Sequence, residues 1–99
     1  MKAALRFTLG AKADIDQAAQ WYASQRTGLD AEFLAELGEM LEWIQRHPRT
    51  PALISRTLRL MKLNRFPYVI SYRFNGKEVI VVRVVHGKRH PKQRMGSTR

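Results

Sequence analysis

The sequence predicts an α+β domain of order β-α-α-β-β-β, with a helical hairpin packed on one face of a small, mainly antiparallel sheet. Three observations predict it. Apolar residues recur at helical spacing through the first half of the chain, as in Phe33, Leu37, Leu41 and Ile44. In the second half they alternate or run on continuously, as in Tyr68 to Phe74 and Val79 to Val85. Between those two runs stands Asn75-Gly76, a strong signal for a tight hairpin. With 99 residues, 44% of them apolar, the chain is expected to be a single domain whose residues 88–99 form a basic tail.

Each element has its own signal. Residues 3–8 read as a first strand with Leu5, Phe7 and Leu9 on one face, broken by Gly10. From Ala11 the pattern turns helical through Ile15, Ala18, Ala19 and Tyr22, with Asp14 and Asp16 in the first turns, where carboxylates suit the helix dipole. Gly28 is placed to cap the end of this helix. A second helix runs from about Asp30 to Arg46, its apolar stripe widened by Leu34, Met40 and Trp43, and His47-Pro48 ends it. The remaining strands cover about residues 58–64, 67–74 and 78–85. The last is apolar on both faces, as expected of a central strand.

Charge is the first functional clue. The net charge is +10. Residues 1–50 hold six basic residues against seven acids, whereas residues 51–99 hold twelve against Glu78 alone. Such asymmetry points to a polyanionic or acidic partner. The chain has no cysteine, which fits a reducing cytoplasm and removes thiol chemistry. No stretch has the length of a signal-peptide core or the roughly 20 apolar residues of a membrane span, so a cytoplasmic location without membrane contact is expected. There is no glycine-rich phosphate loop, and no histidine pair has metal spacing on a helix; neither cofactor nor metal is expected.

The candidate site is the segment His86-Gly87-Lys88-Arg89-His90-Pro91, directly after the last strand. Arg65, Arg73 and Arg83 are expected on the adjoining strands, where guanidinium forks could grip phosphates. His86 could act as a general acid or base, or equally finish the core face of its strand. Trp21, Tyr22, Leu34 and Leu41 form an apolar surface suited to a protein partner, and an open sheet edge would suit strand addition.

The sequence resembles the RelE/ParE toxin superfamily, closer to its ParE-like members. The resemblance rests on Ala13-Asp14-Ile15, Trp21-Tyr22, Gly28-Leu29 with Phe33, and His47-Pro48. It continues through Arg65-Phe66-Pro67-Tyr68-Val69-Ile70-Ser71-Tyr72 and Val81 to Pro91, covering roughly residues 3–93. It implies a toxin encoded with a cognate antitoxin, the two forming a hetero-oligomer. RelE-like members cut mRNA on the ribosome; ParE-like members poison DNA gyrase and serve in plasmid stabilization. For a ribonuclease the resemblance matches Arg89 to a basic residue used near the scissile phosphate, and His86 and Arg65 would join it as the catalytic candidates. Such enzymes usually carry an arginine early in the third strand, where this chain has Val69, and a tyrosine or histidine acid in the tail, where Met95 falls at the tyrosine position. The expected function is therefore gyrase inhibition by binding, with ribosome-dependent mRNA cleavage as the alternative. The expected target-binding residues are Arg65, Arg73, Arg83, His86, Lys88 and Arg89.

Overall fold

Thr8 divides the first strand from the first helix. In the computed structural model, which describes residues 2–89, β1 spans Ala4–Phe7 and α1 spans Leu9–Gln25. The Thr8 hydroxyl accepts from the Ala11 amide at 3.0 Å and donates to the Val82 carbonyl at 2.7 Å. This cap satisfies one of the unpaired amides of the first helical turn. The helix therefore begins ahead of Ala11, and Gly10 lies inside it. Leu9 leaves the strand face it was expected to share with Leu5 and Phe7 and is 84% exposed. Asp14 and Asp16 fall beyond the first turn.

The second helix, α2, spans Leu29–Arg46. Gly28 has φ of 88°, in the left-handed region where a side chain would be strained. It opens α2 and does not cap α1, whose last turn is closed by the Arg26 amide on the Tyr22 carbonyl. The stripe Phe33, Leu37, Leu41 and Ile44 is buried as the spacing predicts. Gln45 ties the end of α2 to β1, donating to the Ala3 carbonyl at 2.8 Å.

Three strands follow: β2 (Arg59–Lys62), β3 (Tyr68–Phe74) and β4 (Glu78–His86). The sheet order is β1-β4-β3-β2, with β1 parallel to β4 and the other pairs antiparallel. The continuous apolar run of β4 thus does mark a central strand. Its faces do not follow simple alternation. The register shifts between Ser71 and Tyr72, so Tyr72 faces Val81 while Ser71 faces Arg83. A bulge of this kind carries one extra residue and reverses the faces beyond it. Val79 and Val81 face the helices before it, and Val84 does so after it. Sequence alternation, which grouped Val84 with Ile80 and Val82, misses this change.

The core lies between the helical hairpin and this face of the sheet. Tyr22 of α1 and Phe33 of α2 meet Phe66 and Tyr68 with ring centroids 4.9–6.1 Å apart. Mostly edge-on contacts of this kind add to what area burial alone provides. Val69 and Ser71 are buried on the opposite face, outside that core cluster.

Tyr72 is fully buried, and its hydroxyl donates to the Pro48 carbonyl at 2.7 Å. Burial pushes its pKa up to about 12. An unfolded tyrosine titrates near 10, so this stabilisation is complete below about pH 10 and is lost as pH rises through about 12. Tyr72→Phe is expected to cost about 1 kcal/mol at neutral pH through the lost hydrogen bond. It is also expected to flatten the alkaline fall in stability, measured by denaturant unfolding. An unchanged alkaline slope would contradict this role.

Candidate functional site

α1 presents two flanks beside its buried stripe of Ala11, Ala18 and Tyr22. One flank carries Asp14, Gln17 and Trp21, and faces the far halves of β3 and β4. Between them runs a groove. Its lower part is lined by Asp14, Arg83 and Val84. Its upper part, a hollow of about 710 Å³, is lined by Trp21, Tyr22, Pro67, Tyr68 and His86. Trp21 is 56% exposed at its rim. The groove is long because β1 ends at Phe7, opposite Val81, and leaves the rest of β4 without a strand on that side.

Asp14 fills part of the vacant edge. Its carboxylate accepts from Arg83 at 2.6 and 2.9 Å and from the Val84 amide at 3.0 Å. The carboxylate thus takes the amide that an added strand would need. The hydrogen bonds to this carboxylate, and then its charge, raise the pKa of Arg83. Gly10 is small where Arg83 crosses α1; a Cβ there would meet the Arg83 Cδ at 3.3 Å.

His86 stands opposite Tyr68 in the sheet, their rings 5.5 Å apart. The Lys88 amide donates to His86 Nδ1 at 3.2 Å, so the proton of the neutral ring belongs on Nε2. Lys88 is exposed in the short turn Gly87–Arg89. The side chain of Arg89, together with His90, Pro91 and Met95, lies outside the described residues.

Several expected site residues are placed differently. Arg65 is not on a strand but in the loop before β3, with Glu32 at 2.8 Å. Its amide and that of Asn64 are held by the Glu36 carboxylate. Arg73 faces Ile80, five residues along β3 from Tyr68. At about 3.4 Å per residue that is roughly 17 Å from the His86 end, so Arg73 does not join His86. Arg83 does border the groove, but as the ion-pair partner of Asp14. Val69 points to the face of the sheet away from His86. Among the apolar candidates, Leu41 and Tyr22 belong to the core, at 6% and 7% exposure. Leu41 is therefore corrected from a surface contact to a packing residue, because it continues the stripe begun by Phe33. Leu34 is exposed, but on the other flank of α1, beside Phe7 and Ile15.

Sequence reasoning missed Asp14, Glu32 and Glu36 as anchors. For Asp14 one signal existed: it lies one turn before Ala18 and so borders the buried stripe. Nothing local marks Glu36, whose partners are about thirty residues away in sequence, and Glu32 joins a neighbour, Arg26, to the equally distant Arg65.

Two helices on a four-stranded mixed sheet, in the order β-α-α-β-β-β, define the RelE/ParE class of fold. The chain belongs to the ParE toxins of type II toxin–antitoxin systems, parDE, whose family model matches residues 5–91. It is similar in structure to a chain described as "Chromosomal ParDE TA system from P. aeruginosa". That likeness has a TM-score of 0.72 at 22% identity, covering 86% of this chain and 96% of that one. No curated protein matches the chain.

The Glu32 carboxylate is held below its ordinary pKa by hydrogen bonds from Arg65 and Arg26. A carboxyl whose folded pKa is depressed contributes stability above its unfolded pKa, near 4.3, and that contribution is lost as pH falls through the folded value. Glu32→Gln is therefore expected to make the melting temperature less sensitive to pH on the acid side. A variant that melts in parallel with the parent across that range would rule out this linkage.

Proposed function

We propose that this ParE-family toxin inhibits growth by binding DNA gyrase, without bond-breaking chemistry of its own, in the cytoplasm. The observation that carries this reading is the state of the cations around His86. A nuclease directs its cations and proton-transfer groups at one phosphate. Here Arg65 is paired with Glu32 and Arg83 with Asp14. Both serve the fold, and Arg73 lies at the other end of the strand. Burial pushes the Tyr22 hydroxyl up, which keeps it a neutral hydrogen-bonding group. Family membership supports the toxin reading, and a role in plasmid stabilization is part of the same proposal.

The groove beside α1 is the surface we assign to the cognate antitoxin. Trp21 is an exposed aromatic over an apolar hollow, the composition of an interface anchor. Lys88 at the rim would attract acidic residues of the partner.

Purified toxin is expected to inhibit gyrase supercoiling and to leave message intact in a purified translation system. Cleavage of message abolished by His86→Ala, with supercoiling unaffected, would overturn the reading. For the antitoxin, Trp21→Ala is expected to weaken binding by at least about tenfold, as removal of an aromatic anchor does. Unchanged affinity would move the interface elsewhere.

A further inference from the structure

The basic half of the chain resolves in space into two unlike groups. Toward the His86 end, Arg65 and Arg83 have carboxylate partners, whereas the exposed Lys62 and Lys88 have no ion pair among the described residues. At the other end of β3, where the chain turns through Asn75-Gly76 into β4, the cations include Arg49, Arg59, Arg73 and Lys77. None of these forms an ion pair among the described residues. Residues 49–77 contain no acid at all. The next acid, Glu78, is engaged by Arg6 and Asn75.

Contacts in the fold hold Arg49 and Arg59 on the helix-facing side of this end, while Arg73, opposite Ile80, points to the other face of the sheet. Arg59 faces Tyr72 across the β2–β3 pairing and donates to the carbonyls of Arg49 and Pro51 at 2.9 and 2.6 Å. The Arg49 guanidinium lies 4.7 Å from the centre of the Phe74 ring. Arg73 precedes Phe74, and Lys77 follows the turn. Arg49, Arg73 and Lys77 are exposed. Like charges around one end of the sheet, on both faces and with no acid in residues 49–77, repel one another and are relieved by an anion. The stacked Arg49 and the bonded Arg59 are already ordered, so less freedom is lost on binding.

We propose that this hairpin end binds the phosphodiester backbone of duplex DNA, as a surface separate from the groove. Three of the four cations are arginines, whose forks match phosphate oxygens. Leu53 is the exposed large apolar residue nearby, bridged to Arg59, and one such residue makes a poor core for a protein interface. Contacts of this type fix position without reading base sequence. The inference goes beyond the gyrase reading and does not depend on it, because binding to bare duplex is measured without gyrase.

The test is fluorescence anisotropy of a short labelled duplex titrated with the full chain over a range of salt. Log affinity is expected to fall linearly with log salt, equally for unrelated sequences. The triple variant Arg49→Gln, Arg73→Gln, Lys77→Gln is expected to lower the magnitude of that slope by about 3, at roughly 0.9 per phosphate contact. A control triple, Lys12→Gln, Lys62→Gln, Lys88→Gln, removes the same charge from exposed positions outside the hairpin end and is expected to change the slope less. Melting temperatures of both variants are compared with the parent, and the pair Arg73→Gln, Lys77→Gln replaces the first triple if that triple is unfolded. The proposal is overturned if the parent does not bind duplex at low salt, if the hairpin variants keep the parental slope, or if the control loses as much. Binding of an acidic peptide in place of DNA would likewise overturn it.

Discussion

The Asp14 carboxylate accepts three hydrogen bonds, two from Arg83 and one from the Val84 amide, and is almost closed off from solvent. A shielded carboxylate is costly unless its lone pairs are satisfied, and here they are. The contact joins α1 to β4 just past the bulge, where β1 has already ended. On the same stretch of chain, Thr8 starts α1 and holds the Val82 carbonyl. Together they lay α1 against the free half of β4, so that Trp21 and Tyr22 come to stand over Tyr68 and His86. The groove is a consequence of this seam.

The seam also decides how the groove can be used. An uncovered strand edge invites another strand. Asp14 occupies the Val84 amide, so strand addition is blocked at that point of β4. The outer edge of β2 is partly covered too, by the bridge from Leu53 to Arg59 and the Leu60 amide on the Ala52 carbonyl. A partner in the groove therefore meets side chains before it meets backbone, which favours an amphipathic segment with an apolar anchor. The same carboxylate neutralises Arg83, while Glu32 neutralises Arg65. What the sequence presents as one basic half becomes an end near His86 where Arg65 and Arg83 are paired with carboxylates but Lys62 and Lys88 are not, and a hairpin end where Arg49, Arg59, Arg73 and Lys77 have no ion pair among the described residues.

Much of the fold was legible because it rests on local periodicity. The stripe of α2, the Asn75-Gly76 turn and the helix-facing residues of β3 are all properties of adjacent residues. The bulge was not legible, since an extra residue between valines leaves no mark in a continuous apolar run. Nor was the helix start, where Thr8 overrode the breaking tendency of Gly10 by offering both a cap and a bond to Val82. The site was read less well for a related reason. Basic residues are easy to count, but which of them are neutralised depends on acids far away in sequence. Arg65 and Arg83 looked like free phosphate ligands until Glu32 and Asp14 were placed beside them, and Arg73 looked adjacent to His86 until the register separated them.

We propose that the two ends of the sheet are separate surfaces, with the antitoxin on the groove and the hairpin end left free. Amide hydrogen exchange of the toxin, alone and with its antitoxin, tests this most directly. Protection is expected in residues 14–22, 66–68 and 84–88, with residues 49–50 and 73–77 unchanged. Protection concentrated at residues 73–77, with the groove segments exchanging as in the free toxin, would contradict it.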